Sequence, residues 1–265
     1  MKFHRIFLAL PLVAVLAGVA HVSQQKADPA GAKMAVAAQK FLGSLTDEQK
    51  KKAVYAFDHP ERTNWEFVPL QDTKAKKATR KGLPLQDMTE EQRKLALAIV
   101  EAGTSATGNK QATTIMSLES ILKATEKMSD MIRNPEWYFF TVFGTPGKAG
   151  KWGWRVEGHH LSINYTLDNN EVVCATPTFF GANPSTVKDG ARKGERILPE
   201  VEDYARALFK SLDDKQRPTA VQNQKHGEPK SKSLRPTNIS ATPAGVPANK
   251  MTDKQRDMLM KLVRA

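Results

Sequence analysis

The chain is predicted to be an α+β protein in which helices pack on a three-stranded antiparallel meander, followed by the helical start of a second, incomplete repeat unit. Three observations predict it. Apolar residues recur at helical spacing within Ala112 to Arg133; the pattern switches to aromatic and β-branched runs between Trp137 and Phe180; and four helix-start signatures fall into two pairs that match in order. A length of 265 residues, 40% hydrophobic and 26% charged, suits one substantial domain or two small ones. The expected layout is a leader over 1–20, a lead segment over 21–39, a first α+β unit over 40–198, and over 199–265 a helix, a basic stretch and the first helices of the incomplete second unit.

Met1 to Ala20 has the layout of a secretory signal. Lys2 and Arg5 precede the apolar run Ile6 to Ala17, and the small residues Gly18 and Ala20 stand at the minus-three and minus-one positions. The mature chain is expected to begin near His21, in a periplasmic or extracellular location. The run carries Pro11 and is short for a bilayer span, so no stable membrane anchor is expected. No cysteine stands at the cleavage point, which excludes a lipoprotein. Cys174 is the only cysteine, so no intrachain disulfide is possible, and it is read as a small buried hydrophobe.

Four stretches, "SLTDEQ" at Ser44, "MTEEQR" at Met88, "SLDDKQR" at Ser211 and "MTDKQR" at Met251, each place a Thr or Asp three residues before a Gln. In such a capping box the first side chain accepts from the N3 amide while the Gln reaches back to the cap residue's own amide. Thr46, Thr89, Asp213 and Thr252 should therefore each start a helix. Aligning Ser44 with Ser211 also aligns Gln49 with Gln216 and Ala53 with Ala220. Aligning Met88 with Met251 places Gly82 and Pro84 on Gly245 and Pro247, and Gln92 on Gln255. This register is the most specific internal signal in the chain.

After the helix that ends near Ala102, Gly103 to Gly108 is predicted to be a turn, and a second helix to lie within Ala112 to Arg133, ended by Asn134-Pro135. Strands are expected near Trp137 to Phe143, Trp152 to Leu167 and Glu171 to Phe180. A helix follows from Pro199 to Leu212, with Val201, Tyr204, Ala205, Leu208, Phe209 and Leu212 on one face. Gln222 to Asn249, proline-rich and poor in apolar residues, is expected to be poorly ordered. Of the formal net charge of +12, a surplus of seven lies in Lys210 to Ala265, which holds twelve Lys or Arg and five acids.

The strings "FLGSLTDEQ", "FDHPERTNWEFVP", "GLPLQDMTEEQRKLA", "ATTIMSLE", "YFFTVFGTP", "WGWRVEGHHLSINYT" and "ATPTFFGANP", in order from about Phe41 to Asp214, resemble the exported proteins of domain of unknown function family 3500. The resemblance implies no established activity. It also implies longer members, in which the segment similar to "MTDKQRDMLMKLVRA" is followed by a second aromatic strand region and a histidine-containing end. A truncated product, a fragment and a short natural form all stay open, as does self-association through the surface of the missing second sheet.

The richest polar stretch is "RVEGHHLSINYT". In a regular strand His159 and His160 would face opposite sides, while Arg155, Glu157 and His159 would share one face, unless a bulge at Gly158 intervenes. That trio is the candidate acid/base site, weighed against a solvated face with an ion pair. Asn64, Trp65 and Glu66, with Glu61 and Arg62 beside them and His160 on the strand, are candidate ligand contacts, weighed against the commoner reading of Trp65 as an anchor that tucks the loop onto the domain. Too few histidines remain for a metal site, and no cofactor is expected. "GTPGKAGKW" departs from phosphate-loop spacing and "GTSATG" from that of a nucleophile elbow. The basic runs Lys50 to Lys52 and Lys74 to Lys81 could contact anionic polymers or lipid head groups, but they lack interleaved aromatics, which argues against nucleic acid, and they are read first as solvated helix and loop faces; the expected partner is a small or anionic ligand. Two functions stay open: a small-ligand-binding or structural module, and a hydrolase or lyase with Glu157 and His159 as acid/base pair and Arg155 as charge clamp.

Overall fold

A computed structural model describes residues 29–126, 130–147, 149–221 and 245–265. The leader lies outside the described residues, as does 222–244, most of the stretch expected to be poorly ordered. The chain begins with α1 (Pro29–Ser44) and α2 (Asp47–Ala53), then the two-residue strands β1 (Val54–Tyr55), β2 (Gln71–Asp72), β3 (Lys77–Ala78) and β4 (Leu83–Pro84). Next come α3 (Glu90–Gly103), α4 (Ala106–Thr125) and the strands β5 (Phe139–Gly144), β6 (Lys151–Gly158), β7 (Leu161–Asp168), β8 (Glu171–Cys174) and β9 (Thr178–Phe180). The helices α5 (Pro199–Ser211), α6 (Gln216–Ala220) and α7 (Asp253–Arg264) follow. No helix among the described residues is long and apolar enough to cross a membrane.

The α+β class is as expected, but the meander is not. Trp152 to Leu167 forms two strands, with Gly158 paired to Leu161 and His159-His160 as the turn between them. A run of that length exceeds an ordinary strand, and its turn lacks the Asn-Gly or Asp-Gly pair that usually announces a hairpin. His160 takes φ +60°, a backbone region that non-glycine residues rarely enter. Glu171 to Phe180 is likewise divided, into β8 and β9, both pairing with β7. Pro177, which lacks an N–H for the ladder, lies between them. At the opposite edge β5 pairs with both β4, antiparallel, and β1, parallel. The result is a seven-stranded mixed sheet, with β2 and β3 as a separate two-stranded sheet.

The sheet's inner face is apolar and carries the helices. Phe140, Val142, Trp152, Trp154, Val156, Leu161, Ile163 and Leu167 join Met34, Ala38 and Phe41 of α1, Ile99 and Val100 of α3 and Ile115 of α4 in one core. Each of the larger aliphatic side chains and each phenylalanine contributes about 1.5–3 kcal/mol on burial. The aromatic members also satisfy their polar ends: Trp154 Nε1 donates to Met34 Sδ at 3.1 Å, and Tyr165, stacked on Trp154, donates its hydroxyl to the Gly103 carbonyl at 2.5 Å. Gly158 has no room for a side chain, since a Cβ there would lie 2.2 Å from the buried Tyr138 ring. The helix α4 starts earlier than expected because Ser105 caps it, accepting from Gly108 N at 3.0 Å. It also ends earlier, so that Ile132 belongs to a loop held by Gln71.

Thr46, Thr89 and Thr252 cap α2, α3 and α7 with complete capping boxes. Asp213 makes the same reciprocal bonds with Gln216, although regular helix begins only at Gln216. The two boxes of each pair also meet. Gln49 and Gln92 exchange side-chain amide bonds at 2.9 Å each, Gln92 donates to the Ser44 carbonyl at 2.7 Å, and Gln49 donates to the Asp87 carbonyl at 2.7 Å. Gln216 and Gln255 pair at 3.1 and 2.9 Å, Gln255 donates to the Ser211 carbonyl at 2.8 Å, and Gln216 to the Lys250 carbonyl at 2.8 Å. Gly82 and Gly245 share nearly the same backbone, φ +107° and +106°. The surroundings differ: α1 buries Met34, Ala35, Ala38 and Phe41, whereas no residue of α5 is buried and Phe209 is 45% exposed.

Replacing Gln92, which is buried, leaves the Thr89 amide, the Ser44 carbonyl and the Gln49 amide without their partners. Gln92→Ala is expected to destabilise the fold by about 2–3 kcal/mol, and Gln49→Ala by less because its site is wetter. The double variant should cost measurably less than the sum in urea unfolding, since the two amides satisfy each other.

Candidate functional site

The outer face of the sheet is polar by strand alternation: Thr141 on β5, Arg155 and Glu157 on β6, Ser162 and Asn164 on β7. It is not a wet face. The segment 57–82 lies across it, and Arg155 and Glu157 are each only 1% exposed. Arg155 donates to the Glu61 carboxylate and to the Glu61 backbone carbonyl, both at 2.7 Å. Glu157 accepts from Arg80 at 2.8 Å, the Glu66 amide at 3.0 Å and Ser162 at 3.1 Å, and lies 3.4 Å from Arg155 Nε. Arg80 also donates to the carbonyls of Glu66 at 2.8 Å and Val68 at 2.5 Å. Two arginines and two glutamates therefore balance in charge and hold the backbone of residues 61–68. Burial lowers the Arg80 pKa, opposed chiefly by Glu157.

Beside this network the covering segment leaves a cleft of about 560 Å³ lined by Arg62, Thr63, Trp65, Phe143, Asn164, Cys174, Thr176 and Pro177, among others. Its shape comes from neighbouring bonds. Phe143 lies under the Arg155 guanidinium at 5.4 Å, and Asn164 donates to Ser162 at 3.0 Å and to the Pro177 carbonyl at 2.8 Å. Trp65 leads an aromatic row in which it lies 6.2 Å from Phe67, itself stacked at 4.1 Å on Phe179. Arg62 is set by a bond from its Nε to the Phe57 carbonyl and by the Phe57 ring at 4.5 Å. Among the described residues its guanidinium has no carboxylate partner. The volume falls in the range of small-molecule sites, and the walls set Trp65, Phe143 and Pro177 beside the polar Arg62, Thr63, Asn164 and Thr176.

At the other end of the face the β6–β7 turn brings the two imidazoles to 4.2 Å, correcting the expectation that they point apart. His159 leaves the trio. Its Nδ1 meets Glu119 of α4 in a short hydrogen bond, with Arg133 Nη1 3.9 Å from the same carboxylate oxygen. Tyr138 donates to the His159 carbonyl at 3.0 Å and to that of Ile115 at 3.3 Å; burial, with Glu119 adding to it, raises its phenol well above the usual value. His160 is fixed by backbone bonds to Phe67 and Gly181. Burial, followed by His159 and Arg133, lowers its pKa to about 4.

Of the expected acid/base trio, then, Arg155 and Glu157 come together in a sealed network, and His159 joins a separate Glu119–Arg133 cluster. Of the expected ligand contacts, Trp65 lines the cleft. Asn64 donates to Glu61 and supplies a carbonyl to Arg155, Glu66 is held through its backbone, and His160 lies in the turn. Cys174, expected to be buried, is half-exposed on β8, its Sγ 3.1 Å from the Thr176 hydroxyl. Arg80, Glu119 and Phe143 carried no local signal, because each acts on residues distant in sequence. Among the described residues no group of three or more His, Cys, Asp or Glu side chains is arranged to hold a metal ion.

A family model described as Protein of unknown function (DUF3500) matches residues 28–265. No curated protein and no solved structure matches the chain.

The turn makes the fold sensitive to acid. Folded His160 stays neutral down to about pH 4, while an unfolded histidine takes up its proton near 6.5, so unfolding binds a proton between these values. Stability is present above pH 6.5 and is lost as the pH falls toward 4. The ring is only half-buried, and solvent screening holds the loss to about 1–2 kcal/mol. The urea midpoint of His160→Asn, a residue that tolerates positive φ, should fall less over this window than that of the wild type.

Proposed function

The chain belongs to the DUF3500 family, and from that premise we propose that it is an exported binding module whose cleft on the outer sheet face holds a small, partly apolar molecule with an acidic group. The observation that carries this reading is Arg62: a cation without a carboxylate partner among the described residues, at a cleft lined by Trp65 and Phe143. Trp65 and Phe143, both largely buried, would form the apolar floor under the ligand's body, with Asn164 meeting a polar substituent and Arg62 the acidic end. Export rests on the charged, apolar and small-residue order of Met1 to Ala20. The hydrolase or lyase reading has less support. Glu157 and Arg155 are saturated with protein partners and closed to a substrate, and His159 faces Glu119.

We further infer that α5, α6 and α7 form a second copy of the unit made by α1, α2 and α3, with a boundary near residue 198. The reading is supported by the matched amide pairs Gln49–Gln92 and Gln216–Gln255, their matched carbonyl acceptors at Ser44 and Ser211, and the like backbone of Gly82 and Gly245.

Phenylacetate and hexanoate, each compared with its uncharged amide, test the cleft by thermal shift and calorimetry. The acids should bind and the amides should bind about tenfold or more weakly, the worth of one charge-assisted hydrogen bond. Arg62→Gln should remove that difference, and Trp65→Ala should weaken acids and amides alike. Equal binding of acid and amide to the wild type, or no binding of any of the four, contradicts the proposal.

A further inference from the structure

A second concavity, about 630 Å³, lies at the opposite edge of the sheet, where β4, the β2–β3 hairpin, the end of α2 and the loop before β5 meet. It brings together two basic runs that are distant in sequence: Lys51 and Lys52 on one wall, Lys76, Lys77 and Lys81 on the other. Among the described residues Asp87 is the one acid that lines it. Lys52 is neutralised by Asp87 at 2.7 Å and Lys51 by Glu48 at 2.5 Å, while Arg80 turns inward to Glu157. Lys76, Lys77 and Lys81 are exposed and make no ion pair among the described residues, which leaves three uncompensated positive charges along one groove.

The aromatics that the basic runs lack locally come from elsewhere in the fold. Trp137 lines the groove half-exposed, its Nε1 donating to Gln86 Oε1 at 2.6 Å, and Asn134 donates to the same oxygen at 3.1 Å. Tyr55 is half-buried and Phe139 buried, so the groove offers one accessible indole and not a succession of aromatic faces. Successive bases need such a succession. A single indole flanked by side-chain amides suits the face and hydroxyls of a sugar ring, and ammonium groups meet separate charges without the paired geometry of a guanidinium.

We propose that this groove binds an acidic polysaccharide, with Lys76, Lys77 and Lys81 meeting successive carboxylates and Trp137 stacking on a sugar. The site is separate from the outer-face cleft and does not depend on what that cleft holds.

Binding of the full chain to immobilised polygalacturonate tests this, with dextran as the uncharged polymer and a thymidine oligonucleotide as the alternative polyanion. Polygalacturonate should bind, dextran should not, and added salt should weaken binding with a slope set by about three released counterions. Lys76→Gln, Lys77→Gln and Lys81→Gln together should lower affinity at least about tenfold, while Lys215→Gln, Lys254→Gln and Lys261→Gln, the same loss of charge in the C-terminal part of the chain, should leave it nearly unchanged. Trp137→Ala should lower it several-fold at constant charge. The proposal is overturned if polygalacturonate does not bind, if the two triple variants lose affinity alike, if Trp137→Ala has no effect, or if the oligonucleotide binds as tightly.

Discussion

The buried ion network beneath residues 57–82 sets the geometry of everything on the outer side of the sheet. Removing four charged side chains from water is expensive, and ion pairing alone rarely repays it. Here the remaining donors and acceptors are spent on backbone: Arg155 and Arg80 donate to carbonyls of Glu61, Asn64, Glu66 and Val68, and Glu157 accepts from the Glu66 amide. A segment whose regular structure is one short 3-10 helix and the β2–β3 hairpin thereby acquires partners for polar groups that would otherwise be buried unpaired. The network also shapes its neighbours. Arg155 lies over Phe143 in the cleft, and Arg80 stands behind the basic groove.

The two faces of one sheet thus use different physics. The inner face is held by area, with two tryptophans and a phenylalanine against small residues of α1 and α3. The outer face is held by charge and direction, which leaves room for a cleft where the covering segment does not fill the surface. The helix starts are tied together by a third device, the paired glutamines, which let one side chain serve its own cap and the neighbouring helix.

Much of this was legible, where the interaction is local. Each capping box lies within four residues, so Thr46, Thr89 and Thr252 could be read directly. Strand alternation put Arg155 and Glu157 on one face, and the stretch holding Asn64, Trp65 and Glu66 lies against that face through the bonds of Arg155 to Asn64 and of Glu66 to Glu157. What could not be read depends on chain separation. The partner of Glu157 is 77 residues away at Arg80, and that of His159 is 40 residues away at Glu119. The hairpin at His159-His160 was hidden because its conformation is imposed by Gly158 against Tyr138 and by bonds to Phe67 and Gly181, not by the turn residues themselves. The same long-range convergence hid the basic groove, whose lysine runs and indole come from separate parts of the chain.

Amide hydrogen exchange on Glu157→Gln tests the dependence on the ion network most directly. The substitution keeps the shape and leaves two buried arginines without their shared carboxylate. Protection should fall at Glu66 and through the neighbouring covering segment, and at the His160 amide bonded to Phe67, while the amides of α3 and the β6–β7 ladder stay protected. Unchanged protection at Glu66 and His160, or a uniform loss across α3 and the sheet, would contradict the claim that this network is what holds the outer face.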